Sequence, residues 1–86
     1  MIESNAVKAA VKDFVMREFL PDEDPGELQE TTPLITTGIL DSIATLRLVT
    51  FLEKQYSITV AAHEADVEHL NTLDDIAALV RAKLGT

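Results

Sequence analysis

The stretch Gly38-Ile39-Leu40-Asp41-Ser42-Ile43 decides the fold of this chain, because it predicts where a central helix begins. The run from Ile43 to Tyr56 contains no Gly or Pro and spaces its apolar residues at helical intervals. Asp41 is a good N-cap, whose carboxylate accepts the first free backbone N–H groups. We therefore predict a helix that begins at or next to Ser42, with Gly38 allowing the chain to turn sharply into it.

Ser42 is the candidate functional residue of this stretch. A side chain in the first helical turn is exposed to an approaching enzyme. A phosphate attached there would face unpaired backbone N–H groups and the positive end of the helix dipole. The sequence is thus compatible with a phosphodiester on Ser42. The alternative is that Asp41 and Ser42 form only a helix cap, as they do at many helix starts.

An amphipathic helix is also predicted near the N-terminus, with Ser4 as its N-cap. It should end near Phe19 or Leu20, because Pro21 disfavours helical geometry in the residue before it. Its apolar residues recur at the spacing of one buried stripe, which comprises Val7, Ala10, Val11, Phe14 and Val15.

The segment between these two helices contains all three prolines, so the irregular part of the chain is confined there. Asp24-Pro25-Gly26 predicts a turn at an exposed tip. Apolar residues that can anchor the loop on the helices are Leu28, Leu34, Ile35, Ile39 and Leu40. Five carboxylates crowd the same loop, at Asp22, Glu23, Asp24, Glu27 and Glu30. They are most simply a solvated surface, since no ligand spacing favours a divalent-ion site.

The last third predicts two further helical segments after an extended connector at Ile58-Thr59-Val60. A short helical turn is expected around Glu64 to His69, with Val67 and Leu70 directed inward. Thr72 and Asp75 have the spacing of a capping box. A final helix should follow from Leu73 to about Leu84 and end at Gly85, burying Leu73, Ile76, Ala77, Val80 and Leu84.

The predicted fold class is therefore all-α: a bundle of three main helices plus one short helix, with a long loop between helices 1 and 2. Eighty-six residues correspond to one small domain, so residues 1–86 are expected to form a single domain.

Composition excludes several classes of function. The net charge of −8 argues against nucleic-acid binding, which needs clustered Lys and Arg. No stretch is long and apolar enough for membrane insertion, so we expect a cytoplasmic protein. We also expect it to be a monomer. The chain has no Cys, and His63 and His69 lack the spacing of helical metal ligands, so no metal site is expected. No catalytic residues are predicted, because the surroundings of Ser42 lack the Gly-x-Ser-x-Gly elbow of serine hydrolases.

The order and spacing of apolar and motif residues resemble those of the phosphopantetheine-binding carrier proteins, acyl and peptidyl, over nearly the whole chain. The matching residues are Thr32-Pro33-Leu34, Gly38 to Ile43, Leu46, Leu48, Phe51-Leu52-Glu53, Tyr56, Ile58, Val60, Asn71-Thr72-Leu73 and Ile76. The resemblance is closest to freestanding carriers of amino acids, including the D-alanyl carrier type and those of natural-product pathways.

The resemblance implies that Ser42 is the attachment point of 4′-phosphopantetheine, with Asp41 as helix cap and motif residue. A phosphopantetheinyl transferase would move the group from coenzyme A onto Ser42. An adenylating ligase or acyltransferase would load its thiol with an acyl or aminoacyl group, and a downstream enzyme would accept the cargo. The expected protein is a carrier and not an enzyme. The rival hypothesis is a small helical protein-interaction module with no prosthetic group.

Helical geometry predicts a second apolar face on the helix that follows Ser42. Ala44, Leu48, Phe51 and Leu52 gather on the side that can face the bundle, with Thr45 at its margin. Ile43, Leu46, Arg47 and Thr50 gather on the side of Ser42 and form the candidate partner-recognition face. The alternative is that Ile43 or Leu46 belongs to the core. Carriers of the fatty-acid type present a strongly acidic helix here, and this chain departs from that pattern at Ala44, Arg47 and Lys54.

Overall fold

The computed structural model describes residues 3–24, 26 and 28–85. These residues form four α-helices and no strand: α1 (Ser4–Phe19), α2 (Ser42–Tyr56), α3 (Val67–Leu70) and α4 (Leu73–Leu84). One 3₁₀ turn, Ala62–Glu64, precedes α3. The predicted all-α bundle, with three main helices, one short helix and a long loop between α1 and α2, is confirmed. None of the helices in this part of the chain is both long and apolar enough to cross a membrane.

The core is formed by one apolar stripe from each main helix, together with anchors from the loop. The helical contribution is Val7, Val11 and Val15 of α1, Ala44, Leu48 and Leu52 of α2, and Leu73, Ile76, Ala77, Leu79 and Val80 of α4. Ala10, Phe14 and Leu84, which the sequence placed in the core, are only half-buried at its edge. Because α1 packs more extensively on α4 than on α2, the edge between α1 and α2 stays partly open.

The ends of α1 and α4 are set by different kinds of contact. The prediction that Ser4 caps α1 is wrong: the N-cap position is Glu3, which makes no side-chain capping bond. Ser4 Oγ instead accepts a hydrogen bond of 2.9 Å from Arg81 Nη1 in α4. The bounds of α4 are as predicted, and Gly85 ends the helix at φ 77°. Of the predicted capping box only one half is present in the described residues: Thr72 Oγ1 accepts from the Asp75 N–H, but the Asp75 side chain accepts no bond from the Thr72 N–H.

The long loop is anchored on the core as predicted. Leu28, Leu34 and Leu40 are buried, while Ile35 and Ile39 are half-buried against the same cluster. At the predicted tip turn, the Gly26 N–H donates to Asp24 Oδ1 at 2.8 Å. Pro25 and Glu27 lie outside the described residues.

The region after α2 differs in one respect from the prediction. Residues 58–60 belong to no helix or strand, which fits an extended connector. The single turn expected over Glu64 to His69 is instead two short elements, the 3₁₀ turn and α3. Leu70 is buried as expected, but Val67 is 44% exposed. A helix of one turn brings only Leu70 into the core, and Val67, directly after the Asp66 cap, stays outside.

The N-cap of α3 also contacts a titratable side chain. Asp66 Oδ1 accepts from the Glu68 and His69 N–H groups at 3.1 Å and lies 2.7 Å from His69 Nδ1. This side-chain hydrogen bond raises the pKa of His69 above its ordinary value and lowers the pKa of Asp66. The pair therefore favours protonated His69 beside ionised Asp66.

We expect the Asp66–His69 pair to stabilise α3 in a defined pH window. The contribution of His69 is present below its unfolded-state pKa and is lost as pH rises through the raised folded-state pKa. The contribution of Asp66 is lost as pH falls through its lowered pKa. An NMR titration should give a raised His69 pKa that falls towards its ordinary value in Asp66→Asn, a variant that keeps a capping oxygen. An unchanged His69 pKa in that variant would contradict the contact.

Candidate functional site

Ser42 is the first residue of α2 and is exposed. Its neighbour Asp41 is the predicted N-cap: Asp41 Oδ1 accepts from the Ala44 N–H at 2.8 Å. The Asp41 carbonyl accepts from both the N–H and the Oγ1 of Thr45, at 2.9 and 2.8 Å. Within the described residues, the Ser42 side chain makes no hydrogen bond. Asp41 therefore does the capping, and the Ser42 hydroxyl is left facing solvent.

A tight turn delivers the chain to this cap. Gly38 has φ 84°, in the left-handed region that a residue with a Cβ rarely adopts. A Cβ there would meet nothing within 4 Å, so the backbone conformation and not space favours glycine. The Gly38 N–H donates to the Ile35 carbonyl at 3.1 Å, and the Leu40 N–H donates to the Leu34 carbonyl at 2.9 Å. The sharp turn predicted at Gly38 is confirmed.

Asn71, between α3 and α4, holds the same loop from the opposite side. The Leu34 N–H donates to the Asn71 carbonyl at 2.6 Å. The Asn71 side-chain oxygen accepts from the Ile35 and Thr36 N–H groups at 2.9 and 3.2 Å. Sequence reasoning gave Asn71 no role beyond its place in the family pattern. The only available signal was an amide side chain beside a helix cap.

The residues predicted as a recognition face lie together on the outside of α2. Ile43 is 67% exposed and Leu46 is 65% exposed, while Arg47 and Thr50 are also exposed. The alternative that Ile43 or Leu46 belongs to the core is therefore wrong. The two are large apolar side chains in water beside Ser42, and exposed residues of this kind, when clustered, are typical of binding surfaces.

This face continues into a shallow groove between α2 and α1, which we call the α1–α2 groove. Its volume is about 450 Å³, and it is lined by Phe14, Glu18, Ile43, Leu46, Arg47, Thr50, Phe51 and Lys54. Phe14 and Phe51 stack with ring centroids 4.4 Å apart, which joins the two helices along the groove. The sequence pattern assigned both rings to the core and did not indicate that they also line a surface groove.

Asp66, Glu68 and His69 bring three ligand-type atoms within 4.8 Å of one another. Asp66 is already the cap of α3 and the hydrogen-bond partner of His69, which accounts for this cluster without an ion. His63 is not part of it. The expectation of no metal site stays a prediction.

Asp41→Ala should destabilise the protein by about 0.5–2 kcal/mol, because it removes the acceptor that caps α2. Asp41→Asn keeps a side-chain oxygen and should recover most of that loss. Chemical denaturation followed by circular dichroism measures both variants. Equal stability of Asp41→Ala and the unaltered protein would mean that the cap contributes nothing.

The chain is a small helical bundle with an exposed serine directly after the cap of its second main helix. No family model matches the chain. The D-alanyl carrier protein of Streptococcus suis (strain 98HAH33) is 33% identical to it over 70 residues, which cover 81% of this chain and 85% of the relative. The apo structure of KstB-PCP, a peptidyl carrier protein, superposes with a TM-score of 0.70 at 21% identity, over 93% of this chain and 88% of that one.

The structural likeness shows that the two proteins share a fold. The sequence relative shows the class of protein: a carrier protein, which is non-catalytic. The chain belongs to the carrier protein family. The predicted family and the prediction that the protein is not an enzyme are both confirmed. The rival hypothesis of an interaction module without a carrier role is not supported.

Proposed function

We propose that this carrier holds its cargo on 4′-phosphopantetheine attached to Ser42 Oγ. The observation that carries the proposal is the state of the Ser42 hydroxyl, which is exposed, free of hydrogen bonds to the described residues, and fixed in position by the adjacent Asp41 cap. A structural serine at a helix start would be expected to cap the helix itself. Here Asp41 takes that role, so the hydroxyl is available for modification.

The residues around Ser42 fit a phosphodiester. Asp41 occupies the N–H groups of Ala44 and Thr45. In the described part of the chain, the N–H groups of Ser42 and Ile43 have no hydrogen-bond partner. They lie at the positive end of the α2 dipole, where an anionic group is stabilised.

When bound, the group supplies the thiol on which cargo is held as a thioester, and this Cys-free chain has no thiol of its own. The role of the protein is to present that group to partners. A phosphopantetheinyl transferase would attach it from coenzyme A, an adenylating ligase or acyltransferase would load it, and a downstream enzyme would take the cargo.

The recognition face of Ile43, Leu46, Arg47 and Thr50 is the surface on which we place these partners. It adjoins Ser42, exposes two large apolar side chains, and continues into the α1–α2 groove. Arg47 and Lys54 line that groove opposite a single acid, Glu18, within a chain of net charge −8. We therefore expect partners to offer apolar contacts and a carboxylate that pairs with Arg47.

For the cargo, we propose an amino acid or β-amino acid used in natural-product biosynthesis of the polyketide or nonribosomal-peptide kind. The similarity to a D-alanyl carrier protein supports an aminoacyl cargo. Specificity would lie mainly in the loading enzyme. The expectation of a monomeric cytoplasmic protein, forming one domain over residues 1–86, stays a prediction.

Incubation with coenzyme A and a broad-specificity phosphopantetheinyl transferase, followed by intact-mass analysis, tests the attachment. We expect one added phosphopantetheine, mapped to Ser42 by peptide fragmentation. A control carrier should be modified in parallel. No addition to this chain while the control is modified would refute the proposal.

The cargo is tested separately, on holo-protein isolated from its native host. Mass analysis of the arm should find an aminoacyl thioester. A population that carries only fatty acyl or malonyl groups would refute the aminoacyl proposal and leave the attachment proposal intact.

A further inference from the structure

We infer that Asn71 is a positioning residue for the modification of Ser42: its side-chain oxygen holds the loop that presents the serine to the transferase. This inference rests on the proposed attachment at Ser42. Asn71 lies far along the chain from the loop it binds: 36 residues separate it from Ile35 and 35 from Thr36.

The contact forms a continuous chain of hydrogen bonds that leads towards Ser42. Asn71 accepts hydrogen bonds from three consecutive N–H groups. Its backbone carbonyl accepts from Leu34, and its side-chain oxygen accepts from Ile35 and Thr36. The carbonyl of Leu34 then accepts from the Leu40 N–H at 2.9 Å, which closes the loop immediately before the Asp41 cap. The position of the cap, and with it the serine, therefore depends on the segment that Asn71 holds.

Both ends of this connection are fixed in the core. Leu70 and Leu73 flank Asn71 in sequence and are buried, and Leu34 and Leu40 at the two ends of the loop segment are buried as well. Between them, residues 36–38 are exposed. The turn is therefore pinned by its two leucines and by the Asn71 oxygen.

Loss of the side-chain oxygen leaves the Ile35 and Thr36 N–H groups without their acceptor, while the backbone bond from Leu34 to the Asn71 carbonyl persists. The loop should then sample conformations in which Ser42 is misplaced. When only a fraction of the molecules is competent to bind, the apparent affinity equals the intrinsic affinity multiplied by that fraction. The defect should thus appear in the KM of the carrier and not in kcat.

The test is steady-state kinetics of phosphopantetheinylation with the carrier as the varied substrate. For Asn71→Ala we expect KM to rise roughly tenfold while kcat stays within about twofold. Asn71→Asp keeps an acceptor oxygen at the same position and should retain a KM within about threefold of the unaltered protein. An equal rise in both variants would overturn the inference, because the acceptor would then not be the operative group.

Thr72→Ala is the matched control for a general loss of stability. It removes the neighbouring α4 cap, which is the bond from the Asp75 N–H to the Thr72 hydroxyl. Within the described residues, the Thr72 hydroxyl makes no hydrogen bond to the 34–36 segment. We expect Thr72→Ala to lower the melting temperature without raising KM. If it raises KM as much as Asn71→Ala at a similar melting temperature, the effect of Asn71 is merely structural and the inference fails.

Amide hydrogen exchange of the unaltered protein keeps the inference testable even if Asn71→Ala does not fold. The Ile35 and Thr36 amides should be protected, and fast exchange at both would overturn the inference. Failure of the attachment proposal is distinguishable, because the unaltered protein would then receive no group at all. Modification of the unaltered protein with an unchanged KM in Asn71→Ala overturns only the role of Asn71.

Discussion

Ser42→Ala should abolish phosphopantetheine attachment while leaving helicity and melting temperature nearly unchanged. The variant removes the only atom proposed to form the covalent bond. The side chain is exposed and makes no hydrogen bond within the described residues, so its removal costs little stability. Intact-mass analysis after incubation with transferase and coenzyme A gives the first result, and thermal denaturation followed by circular dichroism gives the second.

Ser57→Gly is the matched control for this experiment. It removes a second exposed hydroxyl at the other end of α2, where Ser57 has φ 55°, a conformation that glycine adopts without strain. Ser57→Gly should still be modified. A large loss of stability in Ser42→Ala would show that the hydroxyl is structural, and residual attachment in that variant would place the group on another residue.

Leu46→Ala and Arg47→Glu should each slow loading by a cognate enzyme roughly tenfold, since side chains central to an interface cost more than about 1 kcal/mol when truncated. Leu46 presents apolar area beside Ser42, and Arg47 offers the charge that an acidic partner would meet. Neither change should unfold the protein, because both residues are exposed. Loading rates of the holo-protein, measured at several ionic strengths, test both variants.

Three controls separate recognition from stability and from total charge. Leu48 is fully buried two residues beyond Leu46, so Leu48→Ala should cost about 2–5 kcal/mol whereas Leu46→Ala should cost less than roughly 0.5 kcal/mol. Val67→Ala truncates an exposed apolar residue in α3, and Lys12→Glu reverses a charge away from the α1–α2 groove. Both should load at the rate of the unaltered protein. Wild-type rates for Leu46→Ala and Arg47→Glu would mean that the recognition face lies elsewhere.

The predicted recognition face also shows why helical periodicity is informative at this site. Successive residues turn by a fixed angle, so the buried positions Ala44, Leu48 and Leu52 determine which residues must face away. Ile43 and Leu46 were predicted to be exposed on that ground, although both are strongly apolar, and their exposure is confirmed. The role of the face in recognition stays a proposal.

The sequence by itself determined the features that depend on neighbouring residues. The start of α2 at the Asp41 cap, the turn at Gly38 and the end of α4 at Gly85 each follow from backbone chemistry within a few residues. The exposure of the Ser42 hydroxyl belongs to the same group, because the adjacent Asp41 caps the helix and leaves that hydroxyl unbonded. Local hydrogen bonds and allowed φ angles are the same wherever such a segment lies in a protein.

Only the tertiary structure decided the contacts between distant segments. Ser4 satisfies the sequence preference for an N-cap, yet its hydroxyl accepts from Arg81 in α4. Asn71 meets the loop before Ser42, and Phe14 of α1 meets Phe51 of α2 along the groove. Residue type limits which partners a side chain can bind, but packing of the helices decides which partner comes within reach, and that packing depends on the whole chain.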